Sequence, residues 1–372
     1  MIYLDNGATS LQKPETVRRA VLRAMVRCGN PGRSGHRAAM EAAETVYHTR
    51  EAAGKLFSCR PEQVVFTTNC THGLNMAIGS LIRPGMRVVI SGFEHNAVTR
   101  TLHAMGARIT VCGRKLFDWE DTLAAFRKGL DAGAELAVFT HASNVFGYVL
   151  PVEDLAAMCR RYGVPFVIDA AQSAGSQKVD FTALGADFIA MPGHKGLLGP
   201  QGTGLLLCAA DAQPLLYGGT GSVSRQQEMP SFLPDRLEAG TLNVPGFAGL
   251  AEGLRYVKTL GTDRIFQREH GQLLRCAAGL RKMGVEIFMG EHQGGTLSFR
   301  TEADCEELAQ RLARRGIAVR AGLHCAPLAH ESAGTLETGT VRLSFGHTAL
   351  NRETDGFLQA LSKLLPGKRE KI

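Results

Sequence analysis

Short apolar runs rich in valine, isoleucine and phenylalanine recur along the first part of the chain, and helix-compatible stretches separate most of them. Strands that alternate with helices form a mainly parallel sheet, because each crossover places a helix on one face of it. We therefore predict an α/β fold with a seven-stranded, mainly parallel sheet flanked by helices. The predicted strands lie at 64–66, 88–90, 109–111, 136–139, 165–168, 188–190 and 205–207.

With 372 residues the chain is too long for one small domain. The spacing of apolar residues predicts a helix that opens at Pro14, a second helix over 38–56, and a long helix over 249–275 that can break at Gly261. The C-terminal third reads as a smaller α+β unit. We predict a large domain over 16–245 and a small domain built from 1–15 and 246–372.

The charge balance argues only weakly for a nucleic-acid partner. Lys and Arg number 42 against 35 Asp and Glu, and the net charge of +7 is spread along the chain. The locally basic segments are 314–315 and the tail at 368–371, and neither is interleaved with the aromatic residues that stack on bases. We expect anionic small molecules, and no nucleic acid, to be attracted.

Cysteine usage and apolar patterning limit the compartment and the metal chemistry. Nine cysteines contain no Cys-x-x-Cys pair, so we predict neither a metal site nor a redox dithiol. The sequence has no apolar stretch of about 18 residues, which a membrane span needs. The N-terminus has no secretory segment, which favours a reducing cytoplasm.

Two predicted strands end in residues that suggest a cofactor. Asp169 closes the strand at 165–168, and Lys195 follows the strand at 188–190 between Gly193 and Gly196. Alone, Asp169 is typical of a helix N-cap and Lys195 of a solvated surface lysine. Together, a lysine amine that forms a Schiff base and a carboxylate that pairs with a pyridinium are the two anchors that pyridoxal 5′-phosphate requires.

A third strand end is suited to a phosphate group. After the strand at 64–66 comes the polar turn Asn69-Cys70-Thr71, followed by a helix start. Backbone N–H groups at a helix N-terminus bind phosphate, although an ordinary capping turn has the same pattern. The chain has no P-loop and no dinucleotide fingerprint, so nucleotide cofactors are disfavoured.

Seven segments occur in the order found in one family. The chain resembles, over essentially its whole length, the cysteine desulfurases and selenocysteine lyases of the class V aminotransferase-like enzymes, which are fold-type I pyridoxal-phosphate enzymes. The group whose active-site cysteine lies in an Arg-x-Gly-x-His-Cys-Ala segment is the most similar. The segments are 3–9, 94–97, 141–144, 169–172, 193–195, 236–246 and 320–326.

The resemblance implies a role for each residue around the cofactor ring. Lys195 forms the Schiff base with pyridoxal phosphate and later moves protons, and Asp169 pairs with the ring nitrogen. Gln172 and Asn144 hydrogen-bond the phenolate side, and His95 stacks on the ring and can act catalytically on a substrate proton.

The resemblance also implies how the phosphate is held. Cys70, Thr71 and His194 would bind it within one subunit, and Thr220 would reach the phosphate of a second subunit. A homodimer follows from this arrangement.

For the substrate, the resemblance implies that Arg342 clamps the carboxylate together with Asn144, and that Cys325 attacks the sulfur. A free cysteine is usually a small core residue. Arg320, His324 and His330 stand near Cys325 in the sequence, and such basic surroundings are expected to favour its thiolate.

Several positions depart from the family pattern. A serine that contacts phosphate is often found where this chain has Pro192, and threonine and glutamate are frequent where it has Cys70 and His72. Asn96 and Leu323 each replace a common histidine. The departures place the chain in a divergent branch and leave both cofactor anchors intact.

The predicted reaction converts L-cysteine to L-alanine and leaves the sulfur as a persulfide on Cys325. The persulfide would pass to a protein or small-thiol acceptor, for example for iron–sulfur cluster assembly. One alternative is a selenocysteine lyase, or a lyase, aminotransferase or epimerase that acts on another small amino acid. Another is a non-catalytic scaffold of the same fold that binds a sulfur carrier.

Overall fold

A computed structural model describes residues 1–32, 34–209 and 211–365, and the basic tail at 368–371 lies outside these ranges. The first part of the chain follows the predicted alternation of strands and helices. In chain order its elements are β1 (Ile2–Tyr3), α1 (Glu15–Arg27), α2 (Arg37–Phe57), β2 (Val64–Thr67), α3 (Cys70–Leu81), β3 (Arg87–Ser91), α4 (Asn96–Ala104), β4 (Arg108–Cys112), α5 (Trp119–Asp131), β5 (Leu136–Thr140), α6 (Val152–Tyr162), β6 (Phe166–Asp169), α7 (Phe181–Leu184), β7 (Phe188–Pro192) and β8 (Gly204–Cys208).

Long helices and short strands make up the remainder of the described chain. They are α8 (Val244–Leu260), α9 (Thr262–Lys282), β9 (Glu286–Phe288), β10 (Thr296–Arg300), α10 (Cys305–Ala313), β11 (Ile317–Ala318), β12 (Arg320–Gly322), α11 (Pro327–Ala333), β13 (Thr340–Ser344) and α12 (Asn351–Ser362). None of these helices, nor any other described helix, is long and apolar enough to cross a membrane.

The central sheet has the strand order β2-β8-β7-β6-β5-β3-β4. Its neighbouring strands are parallel except at β8, which is antiparallel to both β2 and β7. The predicted mainly parallel, seven-stranded sheet is therefore confirmed. Because β8 reverses direction between them, β2 and β7 run the same way. The carboxyl ends of β2, β3, β5, β6 and β7 thus lie at one edge of the sheet, where ligands bind in open α/β folds.

Both faces of this sheet are buried except at the edge strand β4, which explains why most of its strands are continuous apolar runs in the sequence. In β3, Val88 and Ile90 pack in the cluster under α3 and α4, whereas Val89 packs in the cluster on the other face. That second face is covered by α2, α5, α6 and α8. The helices hold the strand ends in fixed positions, and the loops beyond them can carry functional groups.

The C-terminal part has a core of its own around an antiparallel sheet of order β12-β13-β10-β9. Strand β1 pairs in parallel with β11, and Leu4 packs in the same core as Phe299 and Leu343. The first residues of the chain therefore lie against its C-terminal part. The division into domains at residue 245 stays a prediction.

The predicted helix over 249–275 is wrong in its bounds. The predicted break at Gly261 is confirmed, since this residue separates α8 from α9 and has φ +85°, a conformation that favours glycine. The first helix begins earlier because the Asn243 side chain accepts a hydrogen bond from the Gly246 N–H and Pro245 occupies the first turn. Glycines in that turn weaken the apolar spacing on which the prediction relied.

Candidate active site

A cleft of about 520 Å³ opens at the carboxyl edge of the central sheet, next to Lys195 and Asp169. Asp169 is the last residue of β6, and Lys195 follows the end of β7, the adjacent strand. The cleft brings together most of the site residues predicted from the sequence. Those that line it are Cys70, Thr71, His95, Asn144, Asp169, Gln172, His194 and Lys195.

The Lys195 side chain is partly open to the cleft, but protein surrounds its amine. This burial lowers the pKa of Lys195, and the Asp169 carboxylate partly offsets the shift. A lowered pKa increases the fraction of neutral amine, the form that reacts with a carbonyl group.

Two donors fix one oxygen of Asp169, whose side chain is buried. The Oδ1 atom accepts hydrogen bonds from the Ala171 N–H at 2.9 Å and from the Cys70 thiol at 3.4 Å. Burial raises the pKa of Cys70 well above its ordinary value, and the Asp169 charge adds to the shift. Cys70 is therefore a protonated thiol that can donate.

The start of α3 forms the opposite end of the cleft. The Asn69 side chain caps this helix by accepting the His72 N–H at 2.9 Å. The N–H groups of the first turn, at Cys70 and Thr71, have no acceptor within the helix, and the helix dipole favours an anion there. The geometry suits a phosphate group.

Two histidines at the cleft are neutral at pH 7. Burial lowers the pKa of His194 to about 4, and its Nδ1 lies 3.0 Å from the Thr9 hydroxyl. Burial also lowers the pKa of His95, whose Nδ1 accepts the Ala97 N–H at 3.0 Å. The neutral His95 ring therefore carries its proton on Nε2.

The two amides of the cleft wall are held by backbone carbonyls. The Gln172 Nε2 donates to the Gly7 oxygen at 3.0 Å, which connects the cleft with the N-terminal segment. The Asn144 Nδ2 donates to the His324 oxygen at 2.7 Å, one residue before Cys325.

Cys325 is exposed and lies in the loop between β12 and α11, beside the cleft rather than among the residues that line it. His324 and Cys325 both have left-handed backbone conformations, with φ of +52° and +56°. Such conformations are costly outside glycine and are kept only where surrounding contacts hold them. Here Asn144 holds the His324 carbonyl, and the Asn96 N–H donates to the Cys325 carbonyl at 2.7 Å.

The predicted basic surroundings of Cys325 are wrong for the two histidines. Burial lowers the pKa of His324 to about 2 and that of His330 to about 4, so neither is charged at pH 7. The rings instead stack on each other, with centroids 5.7 Å apart, and His330 bonds the Thr335 hydroxyl at 2.7 Å.

Arg342 is 1% exposed and is engaged by protein groups. Its Nη1 donates to the Asn144 carbonyl at 2.9 Å, and its Nη2 pairs with Asp5 Oδ1 at 2.7 Å. Among the described residues, its Nε has no partner. Burial lowers the pKa of Arg342, and the Asp5 carboxylate counteracts this effect.

Thr220 lies apart from the Lys195 cleft. It lines a wide surface cleft of about 1800 Å³ with residues of α2 and of the segment before α8. The described chain alone does not bring Thr220 to the predicted phosphate site.

Sequence reasoning missed two acidic residues beside this site. Asp5 belongs to a recognised motif, but its pairing with Arg342 joins residues 337 positions apart and has no local signal. Glu94 is fully buried beneath His95, and burial raises its pKa to about 8. The apolar run at 88–90 in β3, followed by polar Ser91, was the available signal.

The donor set of the cleft fits pyridoxal 5′-phosphate. Lys195 supplies an amine for covalent attachment, Asp169 a buried carboxylate for the ring nitrogen, and the start of α3 a phosphate site. A sheet with these groups at its strand ends defines a fold-type I pyridoxal-phosphate enzyme.

Comparisons with known proteins agree. The model of the aminotransferase class-V family matches residues 2–357. A probable cysteine desulfurase of Methanothermobacter thermautotrophicus is 32% identical over 370 residues, which cover 95% of this chain and 92% of the relative. The apo structure of cysteine desulfurase from Thermococcus onnurineus has a TM-score of 0.89 at 31% identity, covering 98% of this chain and 94% of that one.

The cysteine desulfurase CsdA of Escherichia coli, in its S-sulfonic acid form, has a TM-score of 0.85 at 26% identity, with 97% of this chain and 94% of that one covered. The chain belongs to the aminotransferase class-V family, among its cysteine desulfurases, and is a pyridoxal-phosphate enzyme.

Proposed function

We propose that the protein is a cysteine desulfurase that converts L-cysteine to L-alanine and leaves the sulfur on Cys325. The observation that carries the proposal is the hydrogen bond from Asn144 to the His324 carbonyl. Asn144 lines the cleft of Lys195 and Asp169, so this bond holds an exposed thiol at the cleft margin. The names of the relatives support the same reaction.

In this proposal Lys195 holds the cofactor through its amine and then moves a proton at the substrate α-carbon. When bound, pyridoxal phosphate withdraws electrons from the amino acid and weakens the bonds at its α- and β-carbons. Asp169 would keep the ring nitrogen protonated, with Oδ1 already fixed by Ala171 and Cys70. Gln172 would bind the phenolate side of the ring.

The polar rim of the cleft would fix the remaining cofactor groups. Cys70 and Thr71 offer first-turn N–H groups to the phosphate, and neutral His194 can add a ring N–H. His95 would stack on the ring and, with its proton on Nε2, donate a hydrogen bond to the substrate thiol.

The substrate carboxylate would bind Arg342, whose Nε has no partner among the described residues, with Asn144 beside it. A guanidinium binds a carboxylate through two parallel hydrogen bonds and thereby orients it. The clamp would place the β-sulfur toward the Cys325 side of the cleft.

Sulfur transfer balances without an added oxidant. The Cys325 sulfur attacks the substrate sulfur, so that an S–S bond forms as the substrate C–S bond breaks. The substrate carbon keeps the electron pair and takes a proton, which yields L-alanine and a Cys325 persulfide. A thiol acceptor, either protein or small molecule, then releases the sulfur by exchange. Delivery to iron–sulfur cluster assembly is one such use.

A homodimer would complete the phosphate site. Thr220 lies outside the Lys195 cleft. Leu22, Met25 and Val26 form an exposed apolar strip on α1, and Tyr217, close to Thr220 in the sequence, is also exposed. Apolar patches of this kind mark protein interfaces. The partner subunit would bring its own Thr220 to the phosphate. Light scattering would show twice the chain mass if this proposal is right.

We also propose a cytoplasmic location. Each of the nine cysteines lies within the described residues and is a free thiol. Free thiols in this number persist where the compartment is reducing.

The test measures alanine and sulfide released from L-cysteine with added reductant, after visible absorbance has confirmed bound cofactor. The variants are Cys325→Ala and, as a matched control, Cys28→Ala, which removes a half-buried thiol between α1 and α2. We expect equimolar products that disappear only in Cys325→Ala. A protein that carries the cofactor but releases no product from L-cysteine would refute the reaction. A preference for selenocysteine as substrate would favour a selenocysteine lyase. A protein without cofactor absorbance would support a scaffold role.

A further inference from the structure

The carboxylate of Asp5 is paired with Arg342, the residue that binds the substrate carboxylate in the proposed reaction. Asp5 Oδ1 lies 2.7 Å from Arg342 Nη2, in a charge-assisted hydrogen bond. A buried guanidinium without a counter-ion is strongly unfavourable, because the protein interior replaces its hydration poorly. Asp5 therefore keeps Arg342 paired while no substrate is bound.

A second arginine stands on the other side of the same carboxylate. Arg320 Nε lies 3.9 Å from Asp5 Oδ2, and its side chain is half exposed. Asp5 contributes −1, and Arg320 and Arg342 contribute +1 each, so the group has a net charge of +1. Two neighbouring groups add no charge to these three at pH 7, because His324 is neutral and burial raises the pKa of Tyr3. Lys195 also interacts with both arginines, but in the holoenzyme its amine is taken up by the cofactor. One further carboxylate would neutralise the cluster.

The backbone at Asp5 is fixed, so its side chain is the part that can move. The Asp5 carbonyl accepts a hydrogen bond from the Tyr3 hydroxyl at 3.1 Å, and Asp5 bridges to Ser344 of β13. Rotation about the side-chain bonds would exchange Arg342 for Arg320 as the partner of this carboxylate. The two arginines are opposite each other in the β12–β13 pairing.

We propose that Asp5 is a resident stand-in for the substrate carboxylate: substrate takes its place on Arg342, and Asp5 moves to Arg320. The proposal rests on the proposed function, because it assigns the substrate carboxylate to Arg342. It makes Asp5 a residue that sets substrate affinity without a role at the reacting atoms.

The exchange also connects substrate binding with the Cys325 loop. Arg320 begins β12, and this strand leads through Gly322 and His324 into Cys325. When the Asp5 carboxylate shifts to Arg320, it changes the contacts of β12, the strand that precedes the attacking Cys325 thiol. Occupation of Arg342 is thus expected to alter the reactivity of Cys325 toward alkylating reagents.

The test measures binding of L-alanine to the holoenzyme from the change in visible absorbance. L-alanine has the substrate carboxylate and no sulfur, so binding is measured without turnover. In Asp5→Asn the resident carboxylate no longer competes, and we expect L-alanine to bind at least about fivefold more tightly. Cysteamine, which has no carboxylate, should bind both proteins equally.

Two further variants separate this role from a general loss of structure. Arg320→Gln removes the second site for Asp5 and should weaken L-alanine binding, whether or not Asp5→Asn folds. Glu286→Gln is the matched control, because it breaks the exposed Arg300–Glu286 pair of the same small sheet. It should change the affinity for neither L-alanine nor cysteamine.

Equal or weaker L-alanine binding by folded Asp5→Asn, or unchanged binding by Arg320→Gln, would overturn the proposal. Failure of the proposed function is a separate result. It would appear as wild-type protein that binds L-alanine and releases neither alanine nor sulfide from L-cysteine.

Discussion

The thiol of Cys70 donates a hydrogen bond to Oδ1 of Asp169 at 3.4 Å, although the two residues are 99 positions apart. The Ala171 N–H donates to the same oxygen at 2.9 Å. With Oδ1 held by two donors, the other oxygen is oriented toward a further partner. Cys70 thus positions the carboxylate proposed to bind the cofactor ring.

Cys70→Ala is expected to weaken cofactor binding by about fivefold, because a buried hydrogen bond contributes about 1 kcal/mol. Cys70→Ser keeps a donor and should stay near wild type. Titration of apoenzyme with pyridoxal phosphate measures the affinity. Cys159→Ala, which removes another buried thiol in α6, is the control for simple loss of packing. Equal affinities for Cys70→Ala and Cys159→Ala would contradict this role.

Glu94 should make the stability of the fold depend on pH well above the range in which a glutamate ordinarily titrates. Burial raises the pKa of Glu94 from about 4.5 to about 8, although Ser91 and the Thr140 N–H donate to it. The folded protein thus keeps a proton that the unfolded chain releases. The stabilisation is present below the unfolded pKa and is lost as pH rises toward 8, at up to ~1.4 kcal/mol per pH unit.

Glu94→Gln mimics the protonated acid and should remove this loss. As pH rises from 6 to 8, we expect the free energy of unfolding of the variant to increase relative to that of wild type. Urea denaturation at each pH measures both values. Glu135→Gln, at a partly exposed carboxylate beside Arg87, should follow the wild-type curve. Parallel curves for Glu94→Gln and wild type would show that Glu94 is ionised in the fold.

The sequence alone was sufficient for the central sheet and for the cleft groups that stand directly after its strands. Apolar runs buried on both faces mark most strands of this sheet, and the edge strand β4 is only partly buried. Asp169 and Lys195 follow strand ends whose common edge is a property of parallel sheets. The start of α8 at Val244 was less visible, because glycines in its first turns interrupt the apolar spacing.

Contacts between distant segments could not be read from the sequence. Whether His324 and His330 are charged depends on how deeply they are buried, and whether Arg342 is free depends on Asp5 from the other end of the chain. Desolvation and long-range pairing are properties of the packed chain, so residue spacing carries no signal for them.

The Asn144 side chain should restrain the Cys325 loop. It donates to the His324 carbonyl at 2.7 Å and so helps to maintain two consecutive left-handed residues. In apoenzyme, Asn144→Ala is expected to raise the rate of Cys325 alkylation several-fold, since one hydrogen bond of about 1 kcal/mol is lost. Gln172→Ala removes a cleft amide that binds Gly7 instead and should leave the rate unchanged. The same rate in both variants would refute the restraint.

A buried ion pair between Arg50 and Glu238 should be the most sensitive charged contact outside the cleft. The Arg50 Nη2 lies 2.6 Å from Glu238 Oε2, both side chains are less than 10% exposed, and Glu238 Oε1 accepts the Phe66 N–H at 2.6 Å. The guanidinium also lies 4.1 Å from the centre of the Phe66 ring. Removing one charge leaves the other buried without a partner.

Glu238→Gln is therefore expected to lower the free energy of unfolding by about 3 kcal/mol, measured by urea denaturation. The double variant Arg50→Met with Glu238→Leu should recover most of this loss, because neither charge remains to be desolvated. Asp355→Asn breaks an exposed pair with Arg275 and should change stability little, since water and salt screen surface pairs. If Glu238→Gln is as mild as Asp355→Asn, then solvent reaches Arg50 and the pair is not buried in solution.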